Sequence, residues 1–133
     1  MAQSGTRISS AAAMVLGALL VAATSLIHLH LWMTGYRHIA TIGPLFLLQA
    51  IGGFALAGTL ALWHRSVVAA AGILFLLGTA AGLLISTRFS LFGFKDSLGA
   101  PYAGMALVLE ATGAVVLAAA AALLWSPRVS EVR

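Results

Sequence analysis

The stretch IGPLFLLQAIGGFALAGTLALWHRSVVAAAGILFLLGTAAGLLIS, residues 42–86, decides the fold. Crossing the hydrocarbon core of a bilayer takes about 20 predominantly apolar residues. The stretch holds two such runs, at about 42–63 and 67–86, with His64 and Arg65 in the very short connection between them. Pro44 falls in the first turn of the earlier run, where a missing N–H does little harm. Two neighbouring apolar spans on so short a link predict a tight antiparallel hairpin.

Two more runs qualify. One covers about 11–32, after the polar start MAQSGTRISS; the other covers about 102–125 and is followed by SPRVSEVR. The expected architecture is all-α, a four-transmembrane-helix bundle over 11–125 with polar tails at 1–10 and 126–133. Trp32, Tyr36, Trp63, Tyr102 and Trp125 stand at the ends of the spans, where an interfacial aromatic belt belongs. The first span has one alternative reading. Arg7, the apolar run and VAATS at 21–25 resemble a secretory signal with its cleavage site. The apolar run continues through LIHLHLW, however, and outlasts a usual signal core.

Composition agrees with the bilayer as solvent. Of the 133 residues 62% are hydrophobic and 8% charged, against about 25% charged in an ordinary soluble domain. There is no cysteine, which excludes disulfides, iron–sulfur clusters and thiolate metal sites. The net charge of +4 comes from scattered basic residues, with no stripe suited to nucleic acid. They read as topology markers. With the N-terminus inside, Arg7, Arg65, Arg128 and Arg133 lie on the cytoplasmic side, and Arg37, Arg88 and Lys95 on the outer side. Counting Lys and Arg in short loops favours both termini in the cytoplasm. The expected location is the bacterial inner membrane, as a multi-pass cell-membrane protein.

The two longer connections, 33–41 and 87–101, then share the outer face and can form a joint cap. Gly78 and Gly82, in GTAAG, and Gly52, Gly53 and Gly58 in the second span are expected to let helix backbones approach closely. The same motifs would serve packing within one chain or a homo-oligomer.

Glu110 is the one carboxylate inside a span. It lies eight residues, about 12 Å, from Tyr102 along the helix. An ionised carboxylate at that depth is costly, so it needs a proton, a partner or hydrogen bonds from other helices. Depth nominates partners. His28 is about 6 Å in from Trp32 and Gln49 about 10 Å in from Ile42, with Thr24 and Ser25 one turn deeper than His28. Glu110, Gln49, His28 and Thr24 are therefore expected to meet in the outer half of the bundle. The cluster is either a proton-titrating or ligand-binding site, or a set of hydrogen bonds that ties helices together.

Three of the four histidines fall between 28 and 38. His28 and His30 stand about 200° apart on a helix, so they cannot both face the bundle interior. A copper or zinc site from His30 and His38, with Met33 as a soft contact, is conceivable. A bis-histidine haem would draw one ligand from each of two helices, and spans two to four offer no histidine on that face, so a second copy of the chain would have to supply it. The alternative is that His30, Trp32, Tyr36, Arg37 and His38 dress the headgroup zone.

At GYRHIATIGPLFLLQ, with HLHLW before it and LFGF and VLEATG after it, the chain resembles a group of small four-helix membrane proteins of actinobacteria. In that group an H-x-x-x-W-x-x-GYR-like stretch leads into IGPLFLL. The resemblance implies a multi-pass membrane protein and no particular activity. In size and helix count the chain is also similar to DoxX-like proteins, linked to redox or quinone-associated membranes.

Three functions follow as expectations. The first is a small accessory protein or subunit of a larger membrane complex, because no nucleophile–base set, phosphate loop or metal motif is present. No cofactor is required on that reading. The second is a redox or ligand-binding membrane protein that takes quinone, haem or copper near the His28–Glu110 face. The third is a small proton-coupled transporter that uses Glu110.

Overall fold

The computed structural model describes residues 2–125; Met1 and the polar tail 126–133, with Arg128 and Arg133, lie outside the described residues. Four helices account for nearly all of it: α1 (Ala2–Thr34), α2 (Ile42–Leu62), α3 (Ser66–Arg88) and α4 (Ala103–Trp125). Each is long and apolar enough to cross a membrane. The protein is an all-α four-helix bundle and a multi-pass membrane protein.

Leu19, Leu48, Leu74 and Val108 are all largely exposed, so each helix presents large apolar side chains outward as well as inward. A helix apolar all round is at home in lipid. Helix α1 starts earlier than expected. Its first turns, read as a polar tail, are helical, and Ser9 and Ser10 turn their hydroxyls back to the carbonyls of Gly5 and Arg7. These bonds satisfy the two hydroxyls within the helix itself.

The core lies in the half of the bundle nearer the α2–α3 link, around Met14, Val21, Leu60, Leu76 and Leu117. Leu117 of α4 seats against both Gly17 of α1 and Gly72 of α3, where no Cβ would fit. Gly113 gives Leu76 the same room. Close approach thus falls at Gly17, Gly72 and Gly113 rather than at GTAAG. Gly78 and Gly82, like Gly52 and Gly58, have nothing within 4 Å of the position a Cβ would take. Of the glycines expected at contacts, Gly53 alone is packed, against Ser25 and Phe75.

Helix α1 packs closely on α2 and α4, and α3 packs on α4. The α2–α3 hairpin is looser than expected. Their three-residue link is as short as the sequence implies, yet their backbones approach each other far less closely than the other neighbours do. Side chains fill the space instead. Leu60 lies over Gly72, Phe75 reaches Gly53, and Gln49 bridges to Thr79. Above these contacts the two helices part.

The two longer loops share the face opposite the link and meet there. After α1 a 3₁₀ turn (Tyr36–His38) leads into α2. Gly43 in the first turn of α2 lies beneath it: a Cβ there would come within 2.8 Å of the carbonyl oxygens of both Tyr36 and Arg37. The second loop makes a small hairpin, Leu91 paired with Phe94 through both backbone bonds, around Phe92 and Gly93. Both central residues have positive φ, 51° and 80°, the pattern of a two-residue turn matched to strand twist. The Asp96 N–H donates to the carbonyl of Ser86 and anchors the loop to the end of α3. Tyr36 of the first loop meets Phe94 of the second edge to face, ring centres 5.6 Å apart.

Candidate functional site

A cavity of about 430 Å³ occupies the gap between α2 and α3 in the loop-facing half of the bundle. This is within the ordinary range for small-molecule sites, roughly 300–1,000 Å³. Its floor comes from α1 and α4, through Ile27, His28, Ala106 and Glu110. Tyr36, Phe94 and Tyr102 roof it. Leu45 and Leu48 of α2 face Leu74 and Gly78 of α3 across a side open to the bilayer. Gly78 and Gly82 make room here: on α3 they line the cavity instead of a helix contact.

The polar cluster assembles from the floor. Thr24 Oγ1 donates to Glu110 Oε1 at 2.9 Å, joining α1 to α4. The carbonyl of Thr24 lies 2.8 Å from His28 Nδ1 one turn on. A carbonyl only accepts, so that nitrogen carries the proton. The neutral ring then has Nε2 left as an acceptor. Glu110 is 1% exposed, and its Oε2 has no hydrogen-bond partner among the described residues. Leaving such an atom unmatched costs on the order of 1–3 kcal/mol.

Thus Thr24 and Glu110 meet across α1 and α4, while His28 bonds the backbone of its own helix and shares the cavity lining with Glu110. Gln49 does not join them directly. Its amide nitrogen donates to Thr79 Oγ1 of α3, and Thr79 donates to the Phe75 carbonyl at 2.9 Å. Gln49 and Glu110 share the cavity as separate parts of its wall. Ser25, one turn below His28, bonds its own helix at Val21 and packs on Gly53.

Tyr36, read as an interfacial loop residue, is half-buried in the roof and stacks on Phe46, ring centres 4.6 Å apart. Phe46 in turn lies 5.0 Å from the His28 ring. Burial, and after it the nearby Asp96 carboxylate, raises the Tyr36 phenol above its ordinary pKa. Its proton is held the more firmly.

The other histidines take different places. His30 packs edge-on against Tyr102, ring centres 5.3 Å apart. His38 Nε2 accepts from Arg37 Nε at 3.0 Å, a bond that keeps it paired with its neighbour in the loop. Met33 is exposed. Among the described residues no three His, Asp or Glu side chains gather where they would hold a metal ion.

Sequence reasoning missed Thr79, Ser86, Asp96 and the rings of Phe46 and Phe94 as cavity residues. One signal was present. Thr79 and Ser86 are seven apart, two helical turns, so both lie on the face of α3 that carries Gly82. Comparison of the chain with family models, with curated proteins and with solved structures returned no significant match.

Proposed function

We propose that this small multi-pass membrane protein binds a lipid-soluble small molecule, which enters sideways from the bilayer between α2 and α3. One observation carries the reading: the unpartnered Glu110 Oε2 stands in a residue on the wall of a cavity of about 430 Å³. A polar atom left unmatched inside lipid favours a ligand that completes it. The apolar rim of Leu48 and Leu74 suits a ligand that arrives dissolved in hydrocarbon.

This reading develops the ligand-binding expectation and takes precedence over a purely accessory role, which rests on missing motifs alone. The proposed location is the inner membrane of a bacterium, with the cavity mouth toward the outer leaflet. That orientation follows from the Lys and Arg balance of the loops.

The test compares wild-type protein with the double variant Gly78→Leu/Gly82→Leu, whose added side chains project into open space. Native mass spectrometry from lipid nanodiscs should show a small-molecule adduct on wild type, at near-unit occupancy, that the double variant lacks. Identical spectra for the two would count against the reading.

A further inference from the structure

The chemistry around the cavity selects among lipid-soluble molecules. Its acidic side chains are Asp96, in the loop that roofs it, and Glu110, on the floor; no Lys or Arg lines it among the described residues. With Glu110 ionised, the hydrogen-bonding atoms left over on the floor, His28 Nε2 and Glu110 Oε2, are acceptors. His28 spends its Nδ1–H on the Thr24 carbonyl, and Glu110 keeps Oε2 unpaired.

The walls are aromatic. Phe46, Tyr36 and Phe94 form a continuous run of ring contacts from the His28 imidazole to the roof, with Phe75 and Tyr102 also on the lining. Aromatic faces carry negative potential and hold cations, the more strongly where water is excluded. A carboxyl beneath a ring-lined chamber is the arrangement that recognises a positively charged organic group.

An inorganic cation does not fit the same walls. Dehydrating a small metal ion takes several oxygen ligands, and the lining is mostly apolar. An organic cation with carbon substituents carries diffuse charge and a hydrophobic body, and it crosses the open side between Leu48 and Leu74 without leaving hydrocarbon.

We infer that the cavity binds a lipophilic organic cation, a hydrophobic amine or quaternary onium, with Glu110 as its counter-charge and the Tyr36, Phe46 and Phe94 rings as its cage. The inference rests on the ligand-binding reading above and names the ligand's charge.

Three probes separate the two. Tetraphenylphosphonium and tetraphenylborate share size and shape and differ in sign, and menadione is a neutral quinone. Each is titrated by equilibrium dialysis against the protein in phosphatidylcholine nanodiscs, with empty nanodiscs as the background. The expected result is saturable binding of tetraphenylphosphonium at one per chain, with the other two at background. Glu110→Gln should weaken it by about thirtyfold or more, as when one side of a buried charge pair is removed. Gly78→Leu/Gly82→Leu should abolish it.

Saturable menadione binding with none of the phosphonium would leave the ligand-binding reading standing and overturn the cationic one. Background binding of all three would overturn both. Equal phosphonium affinity in Glu110→Gln would remove Glu110 as counter-charge. Should Glu110→Gln fail to fold, the comparison of opposite signs on wild type still decides.

Discussion

Thr24 on the first helix and Glu110 on the last are 86 residues apart in sequence and 2.9 Å apart in space, hydroxyl to carboxyl. Both are buried, and the bond is the one donor that Glu110 receives among the described residues. Thr24→Val keeps the shape and removes the hydroxyl. We expect a loss of about 1–2 kcal/mol, at the upper end of what single hydrogen bonds contribute in membrane bundles. Thr24→Ser should be close to wild type. Unfolding in mixed micelles, followed by circular dichroism, reads both.

Combining Thr24→Val with Glu110→Leu removes both polar partners together. Replacing a buried polar pair by apolar groups of similar size is often neutral or stabilising. The double variant should therefore recover the stability that Thr24→Val loses, while phosphonium binding falls with the loss of the Glu110 carboxyl. A double variant less stable than either single one would mean that the pair is there to hold the helices.

Glycine substitutions should divide by place. In Gly17→Ala the new Cβ meets Leu117, which is fully buried and is held from the far side by Gly72. Overpacking of that kind costs about 1–3 kcal/mol, more than the roughly 1 kcal/mol of helix propensity gained over glycine. At Gly78→Ala and Gly82→Ala nothing is met, and stability should hold or rise by up to about 1 kcal/mol. The same thermal measurement on the three variants settles the contrast.

Gly43→Ala addresses the cavity roof. Its Cβ would press on the carbonyl oxygens of Tyr36 and Arg37, so the 3₁₀ turn must lift and the Tyr36–Phe46 stack must open. Limited trypsinolysis after Arg37 should speed up several-fold, and phosphonium affinity should fall with it. Unchanged cleavage would show that the turn absorbs the methyl without moving.

Tyr36 gives a pH signature outside the spans. Burial and the Asp96 charge raise its phenol above the ordinary value, which is about 10. In Tyr102→Phe, whose remaining tyrosine is Tyr36, the phenolate absorbance near 295 nm (about 10 nm either way) should appear at higher pH than in the unfolded chain. The folded state binds the proton more tightly. Its share of stability is therefore full below the unfolded value and is lost as pH rises through the folded one. Asp96→Asn should bring the titration down only part of the way, because burial is the larger cause and remains.

Axial position was legible in the sequence because rise per residue is constant. Counting from Trp32 and Tyr102 places Thr24 and Glu110 at compatible depths, and the structure joins that pair, with His28 on the same cavity wall. Rotation about each axis was not legible. Whether Gln49 turns toward Glu110 or Thr79 depends on how α2 seats, and that is set by Gly53 against Ser25 and Phe75. Small-residue spacing misled for a related reason. GTAAG permits close approach but cannot say whether a neighbour arrives, and here α2 stays away. Tyr36 and the 91–94 hairpin are brought together by two separate loops, and no local pattern in either announces the other.

The polar pair also imposes an order on biogenesis. Synthesis at about 5–20 residues per second places Glu110 in the membrane some 4–17 s after Thr24. Throughout that interval the Thr24 hydroxyl and the notch at Gly17 lack their partners on the fourth helix, Glu110 and Leu117. The seam between the first and last helices closes only when translation has reached the fourth. A ribosome stalled before Glu110 therefore leaves a nascent chain with an unmatched polar edge, the kind of exposed signal by which membrane quality control would tell an unfinished chain from a completed one.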